Sequence, residues 1–349
     1  MDIWQRFDEI PDHTEASVVT IGVFDGVHRG HQTLISEATQ RARDLGLPSI
    51  LLTFNPHPLA VLRPDRIPPM LGSVGDRAEL ARASGIDHML AMSFSADLAR
   101  LEPEAFFRDV LMEKLRAKVI VVGENFTFGF KAAGDTDTLK ALGKQYGVEV
   151  IVRELLAEDG TVLSSTVIRE ALQRGDVQRA NWCLGRVFTV NGQVVRGAGR
   201  GGKELGYPTA NLYFPDQVAL PADGVYAGLL TITSSAPIEG DMERGVAYPA
   251  AISVGHNPTF GDERRSVESY VIDREADLYG HSVEVAFIGH IRGMEKFDGV
   301  EQLLEAMGRD VAKAKDIIAE ATEITKQYCY TVLHENDTNT NSDNQSHKG

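Results

Sequence analysis

Two histidines and three glycines crowd one short stretch. Residues 22–31 read GVFDGVHRGH, with His28 close to His31 and with Gly22, Gly26 and Gly30 at regular spacing. They follow an apolar run, SVVTI, at residues 17–21. Glycines let a backbone come close to a ligand. A helix starting near Gly30 would offer free N–H groups and a positive dipole end to an anion. Imidazoles there can donate hydrogen bonds to phosphate oxygens as charge builds in a transition state. A glycine-rich turn with two exposed histidines is the plainer alternative. A dinucleotide fold is disfavoured because G-x-G-x-x-G is absent, and a zinc pair lacks further ligands at zinc spacing. The residues favour phosphate binding.

Other stretches carry weaker signals. Ser164, Ser165 and Thr166 precede a helical segment, VIREALQRG, with Arg169 one turn in. Hydroxyls, free N–H groups and a forked cation suit phosphate, although an ordinary N-cap with a surface arginine reads the same way. His57 stands between two prolines after an apolar run, where a rigid loop histidine also has structural uses. In LGYPTANL, residues 205–212, Pro208 fixes the backbone beside Thr209 and Asn211. A hydroxyl and an amide oxygen suit a hard cation that keeps positions for water and phosphate, and a polar β-turn is the alternative. Glu268 shares a strand face with Tyr270 and Ile272 by alternation. A carboxylate on an apolar face is paired or functional, and Arg292 is one candidate partner. Residues 197–204, GAGRGGKE, nearly spell a P-loop. Glu204 replaces its hydroxyl residue, and Gly206 and Pro208 forbid the helix it requires.

These residues need elements to hold them. In the first half, apolar runs at 18–24, 50–54, 88–92, 119–122 and 148–152 alternate with helical patterns, which indicates parallel βαβ units. One helical stripe holds Leu34, Ile35, Ala38, Ala42 and Leu45 and stops at Gly46. Pro103 opens another, with Phe106, Phe107, Val110, Leu111 and Leu115. Near Gly185 the period changes. Asn191-Gly192 signals a hairpin, and strands are expected at 225–232, 248–254, 267–272 and 283–288. Together they read as a small antiparallel barrel or sandwich. A long helix from Val300 to Ile318 closes it, with Asp298 and Glu301 in capping-box spacing.

Bulk properties bound the function. A chain of 349 residues suggests two domains. The net charge of -15 argues against nucleic acid or an anionic membrane surface as partner. Cys183 and Cys329 are far apart, so no disulfide framework is implied and a cytoplasmic location is expected. The N-terminal residues are polar and acidic, unlike a signal peptide, and no apolar stretch is long enough to cross a bilayer. Residues 334–349 lack apolar side chains and are expected to be a disordered tail. Homo-oligomerisation stays open.

GVFDGVHRGH resembles the H-x-G-H signature of nucleotidylyltransferases, with His28, Gly30 and His31 in the motif positions. With Phe24, Asp25 and Gly26 it is similar to the bacterial bifunctional riboflavin kinase/FAD synthetases. Further motifs of that family follow in order: TFNPHP at 53–58, GENFTFG at 123–129, SSTVIR at 164–169, GYPTAN at 206–211 and NPTF at 257–260. A strand with Glu268 then precedes DLYG at 277–280. The resemblance spans nearly everything but the tail. It implies a Rossmann-like α/β FMN adenylyltransferase domain over 1–185. A riboflavin kinase domain would follow over 186–333, a small antiparallel β-barrel with a closing helix.

The same resemblance implies two reactions. Riboflavin takes the γ-phosphate of ATP to give FMN, and FMN attacks the α-phosphorus of a second ATP to give FAD and pyrophosphate, both with Mg²⁺. It implies that His28, His31 and His57 contact phosphates, and that Gly22, Phe24, Asp25, Gly26, Gly30, Ser164, Ser165, Thr166 and Arg169 line the nucleotide site. Asn125 would face the flavin. Where relatives often carry aspartate and then Phe-Arg-Phe, this chain has Asn125 and Phe126-Thr127-Phe128. Gly206 and Pro208 would shape the kinase site, Thr209 and Asn211 would hold Mg²⁺, and Glu268 would be the base. Two rivals are a single nucleotidyltransferase whose barrel only binds ligand, and a flavin carrier without turnover.

Overall fold

The computed structural model describes residues 1–11, 16–196, 207–256 and 265–321. Gly206, the stretches 197–204 and 257–260, and the tail at 334–349 lie outside the described residues. Contacts divide the chain into two compact units, Met1–Val167 and Ile168–Gly349.

The first unit is built on a six-stranded sheet: β1 (Asp2–Trp4), β2 (Ser17–Ile21), β3 (Ser49–Phe54), β4 (His88–Met92), β5 (Ala117–Gly123) and β6 (Glu149–Arg153). Its order is β1-β4-β3-β2-β5-β6, every pair parallel. Strands buried on both faces read as unbroken apolar runs, and all five residues of β2 are buried. The two polar ones are satisfied: Ser17 Oγ donates to Leu115 O at 2.5 Å and Thr20 Oγ1 to Val121 O at 3.1 Å. The first run ends at Ile21, short of the expected Phe24, because the chain turns out of the sheet at Gly22. β1 was hidden in a polar N-terminus. It is held by pairing with β4 and by Trp4 stacked on His88 at 4.6 Å.

Helices α1 (Arg29–Leu45), α2 (Pro58–Leu62), α3 (Val74–Ala83), α4 (Pro103–Phe106) and α5 (Thr136–Tyr146) join these strands, with α4 continuing as a π-helix over Phe107–Lys114. In α1 the buried stripe is Ile35, Ala38, Thr39 and Ala42. Leu45, expected on that stripe, is exposed in the last turn. Gly46 caps the helix in the left-handed conformation, φ 65. A two-strand ribbon, β7 (Ala157–Glu158) and β8 (Thr161–Val162), precedes α6 (Ser165–Gln173). Strand order reverses between β2 and β5. In open α/β sheets ligands bind beyond the carboxyl ends of strands at such a reversal.

The second unit holds most of α6, α7 (Val177–Leu184) and a second six-stranded sheet: β9 (Phe188–Gln193), β10 (Ala210–Phe214), β11 (Gly224–Ile232), β13 (Ala247–His256), β14 (Arg265–Val271) and β16 (Ser282–Gly293). A small ribbon pairs β12 (Glu239–Gly240) with β15 (Ala276–Asp277). The large sheet runs β10-β14-β13-β11-β16-β9, all antiparallel. A bridge between Val195 and Asn211 draws its edges together into a nearly closed barrel, with Val195 N donating to Asn211 O at 2.9 Å. α8 (Val300–Glu320) packs on the barrel through Val311, Ala314 and Ile317.

Two expectations change here, while the change of period near Gly185 meets the first barrel strand and the contacts divide the chain earlier, after Val167. α7 sides with the barrel: Asn181 Nδ2 donates to Phe287 O at 2.8 Å, and Asn181 Oδ1 accepts from Phe188 N at 2.7 Å. Asn191-Gly192 is no hairpin. It lies inside β9, opposite Glu284 and Val283. A Cβ on Gly192 would sit 3.3 Å from Leu212 and 3.4 Å from Phe214, so this glycine serves close packing across the barrel seam. The capping box at Asp298 and Glu301 does not form. Gly299 is the N-cap of α8, and Gln302 Oε1 accepts from Asp298 N at 3.3 Å.

Candidate active sites

Residues 22–28 leave the end of β2 at the strand-order reversal. Their backbone is strained: Phe24 has φ 52 and Val27 φ 38, beside Gly26 at φ 78. Side chains in that region each cost about 1–3 kcal/mol and persist where surroundings over-determine them. They do so here. The Phe24 ring is fully buried in a cluster with Val27, Ile35, Leu51 and Met89. The Asp25 carboxylate accepts from Leu71 N at 3.0 and 3.2 Å. Gln32 Nε2 donates to Val27 O at 3.0 Å. Phe24 and Asp25, expected to line the nucleotide site, also hold the loop from within.

His28 is the N-cap of α1, its Nδ1 accepting from His31 N at 3.3 Å. That role leaves the proton of a neutral ring on Nε2. His31 stacks on His28 with centroids 3.6 Å apart, and its other side meets the Phe24 ring at 5.1 Å. A Cβ on Gly30 would lie 3.2 Å from the His28 ring. Glycine is what lets the imidazole lie over the first turn. The intervening Arg29 forms a two-bond ion pair with Glu158, one bond at 2.8 Å, and so ties the β7–β8 ribbon to the loop.

The start of α6 meets the same loop. Ser165 Oγ donates to Asp25 O at 2.8 Å, and Ser164 Oγ accepts from Val167 N at 3.4 Å. Thr166 is exposed. Two helix N-termini thus flank one histidine-bearing turn, and each presents N–H groups that its own helix cannot satisfy. Arg169 stands further along α6, in the second unit. His57 caps α2, its Nδ1 accepting from Leu59 N at 3.1 Å. Asn125 is exposed just beyond β5, the strand across the reversal from β2.

One contributor was not foreseen. Arg77 on α3 is buried; its Nη1 donates to Thr53 Oγ1 at 2.7 Å, and Thr53 Oγ1 donates to Val23 O at 2.9 Å. Burial pulls the Arg77 guanidinium below its ordinary value while the charge of Asp25 opposes that. The available signal was an arginine four residues ahead of Ala81 on the buried face of α3. Glu158 had no such signal, since only folding brings it to Arg29.

The barrel seam holds the other candidates. Pro208 is exposed and Thr209 half-buried, just ahead of β10. Asn211 is buried, and its Nδ2 donates to Thr209 O at 2.9 Å. That bond is made by the amide nitrogen and not by the oxygen. Register sets Asn211 directly opposite Glu268 of β14, with Ser253 of β13 on the far side. Directly opposed residues project from the same face. Burial pushes the Glu268 carboxyl above its ordinary value, and a bond from Ser266 Oγ, 3.3 Å from Oε1, works against that rise. Arg292 is not its partner. The Arg292 guanidinium bonds Asp310 of α8 at 2.7, 2.9 and 3.2 Å. The Tyr207 ring meets Tyr270 edge-on at 4.9 Å beside the seam.

A parallel α/β unit with phosphate-type helix ends, followed by an antiparallel barrel carrying a half-buried carboxylate, defines a two-site transferase. The FAD synthetase family model matches residues 10–167 and the riboflavin kinase model residues 184–318. A bifunctional riboflavin kinase/FMN adenylyltransferase of Escherichia coli K12 is 32% identical over 302 residues, 86% of this chain and 93% of that protein. One from Listeria monocytogenes is 34% identical, covering 84% of this chain and 90% of that protein. The chain belongs to the bifunctional riboflavin kinase/FMN adenylyltransferase family. A crystal structure from Streptococcus pneumoniae, described as a macrolide-efflux protein, is similar with TM-score 0.78 and 33% identity, over 90% of this chain and 98% of that one. Among the described residues of this chain, no helix is long and apolar enough to cross a membrane.

Proposed function

We propose that the chain phosphorylates riboflavin with ATP at the barrel seam and adenylates FMN with ATP at the histidine turn. In the first reaction Glu268 takes the proton of the terminal ribityl hydroxyl, whose oxygen bonds to the γ-phosphorus as the bond to ADP breaks. A carboxyl raised by burial is a stronger base than an exposed one, and a pKa nearer the working pH suits proton transfer. Thr209 and Asn211 would hold a Mg²⁺ that supplies neutralisation of phosphate charge. Their oxygens fit a hard cation that keeps water and phosphate ligands. Among the described residues no cluster of three His, Cys, Asp or Glu could bind a metal alone.

In the second reaction an FMN phosphate oxygen attacks the α-phosphorus of ATP in line, and pyrophosphate leaves. No residue forms a covalent bond. His28 Nε2–H, His31 and the N-termini of α1 and α6 stabilise charge on the phosphates. His57 adds a phosphate contact and Asn125 one to the flavin. The acidic charge and the cysteine pattern support a cytoplasmic protein that binds small phosphate-bearing substrates.

The register that sets Asn211 opposite Glu268 carries the two-reaction reading. On this reading a metal ligand faces a base across the seam, which a merely ligand-binding barrel does not need. Incubation with riboflavin, ATP and Mg²⁺ tests it. FMN and FAD together support the proposal, FAD formed only from supplied FMN leaves one transferase, and binding without turnover leaves a carrier.

A further inference from the structure

Ser266 stands on β14 two residues before Glu268 and is buried. Its Oγ lies 3.3 Å from Glu268 Oε1 and 3.2 Å from Gly255 O on β13. A serine hydroxyl has one proton, so it serves one of these acceptors at a time. A carboxylate accepts more strongly than a neutral carbonyl. The hydroxyl is therefore drawn to the Glu268 carboxylate. We propose that Ser266 is a positioning residue for the kinase reaction, holding one carboxylate oxygen of Glu268 so that the other faces the hydroxyl to be deprotonated. This rests on the reading of Glu268 as the base.

Other ionisable groups on the surrounding described elements are few. Tyr270 follows on the same face of β14, and Tyr213 of β10 stands opposite Ser266. β13 presents Ala251, Ser253 and Gly255 there, none of them ionisable. α8 carries Asp310 bonded to Arg292 of β16, and Lys315 bonded to Asp273. Neither pair bonds Glu268.

The test uses the full chain and separates kcat from KM for riboflavin in FMN formation. A loosely held base should be read in the chemical step and not in substrate binding. Ser266→Ala is expected to lower kcat about 10-fold, below the roughly 10²-fold a 1 Å misplacement can cause, with KM unchanged, and Ser266→Thr to restore kcat. Ser266→Cys, nearly the same size but a weaker donor, lowers kcat the same way and serves if the alanine variant does not fold. Glu268→Gln is run alongside. An unchanged kcat in the Ala and Cys variants, with Glu268→Gln inactive, overturns the role of Ser266 and leaves the base standing. Near-parental FMN formation by Glu268→Gln removes the base itself, and the Ser266 role with it.

Discussion

The two proposed sites, the histidine turn and the barrel seam, are assembled by different routes. The turn is local: His28, Gly30, His31 and the strained Phe24–Val27 backbone lie within one short stretch, and buried Phe24, Asp25 and Arg77 clamp it from below. The seam is assembled at long range. Asn211 and Glu268 meet only because β10 pairs with β14 in one register, and the bridge from Val195 to Asn211 closes the sheet there. A one-residue slip in a strand turns every side chain to the opposite face. The turn should therefore fail by local clash, and the seam by loss of a single side chain or of the packing that sets register.

The largest expected effect isolates the seam. Glu268→Gln keeps shape but cannot take a proton, so FMN formation should fall roughly 10²–10⁴-fold, while FAD formation from supplied FMN stays parental. Chromatography of flavins checks both. The turn answers to a methyl group. Gly30→Ala puts a Cβ 3.2 Å from the His28 ring. On the role proposed for His28, displacing its ring by a few tenths of an ångström should lower adenylyl transfer about 10-fold, below the roughly 10²-fold a 1 Å misplacement can cause. Kinase activity in the same chain should not change.

Legibility follows the same division. The turn was readable because its chemistry is adjacent in sequence and its strand is a buried apolar run. What supports it was not, since Arg77 and Glu158 reach it from other elements. The seam was readable only through family motifs: nothing in the order of residues says that Asn211 faces Glu268. Local rules also misled. Asn191-Gly192 carries the composition of a hairpin turn, yet tertiary packing against Leu212 and Phe214 decided its use. No change of period marks the unit boundary inside α6, so the allegiance of α7 to the barrel through Asn181 lay beyond any pattern.

Asn181 offers a smaller effect that probes the barrel as a whole. Asn181→Ala leaves the Phe188 N–H and the Phe287 carbonyl buried without their partner. The loss should be about 2–3 kcal/mol for these two groups, read in thermal inactivation of the kinase. Smallest is a gain. A carboxyl whose folded pKa lies above its unfolded value binds protons better in the folded chain. Stability then falls as pH rises between those two values, and the deficit persists at neutral pH. Glu268→Gln does not titrate, so it should melt higher than the parent at pH 7 and lose that advantage in acid. Parallel calorimetry at both pH values checks the sign.

Mixing two defective chains tests the separateness of the two sites most directly. His28→Ala should make FMN from riboflavin but no FAD, and Glu268→Gln should make FAD from FMN but nothing from riboflavin. Combined with riboflavin, ATP and Mg²⁺, they should produce FAD, because FMN formed on one chain reaches the intact turn of the other. A mixture that yields no FAD, or a His28→Ala chain that has lost FMN formation as well, would contradict the assignment of one reaction to each site.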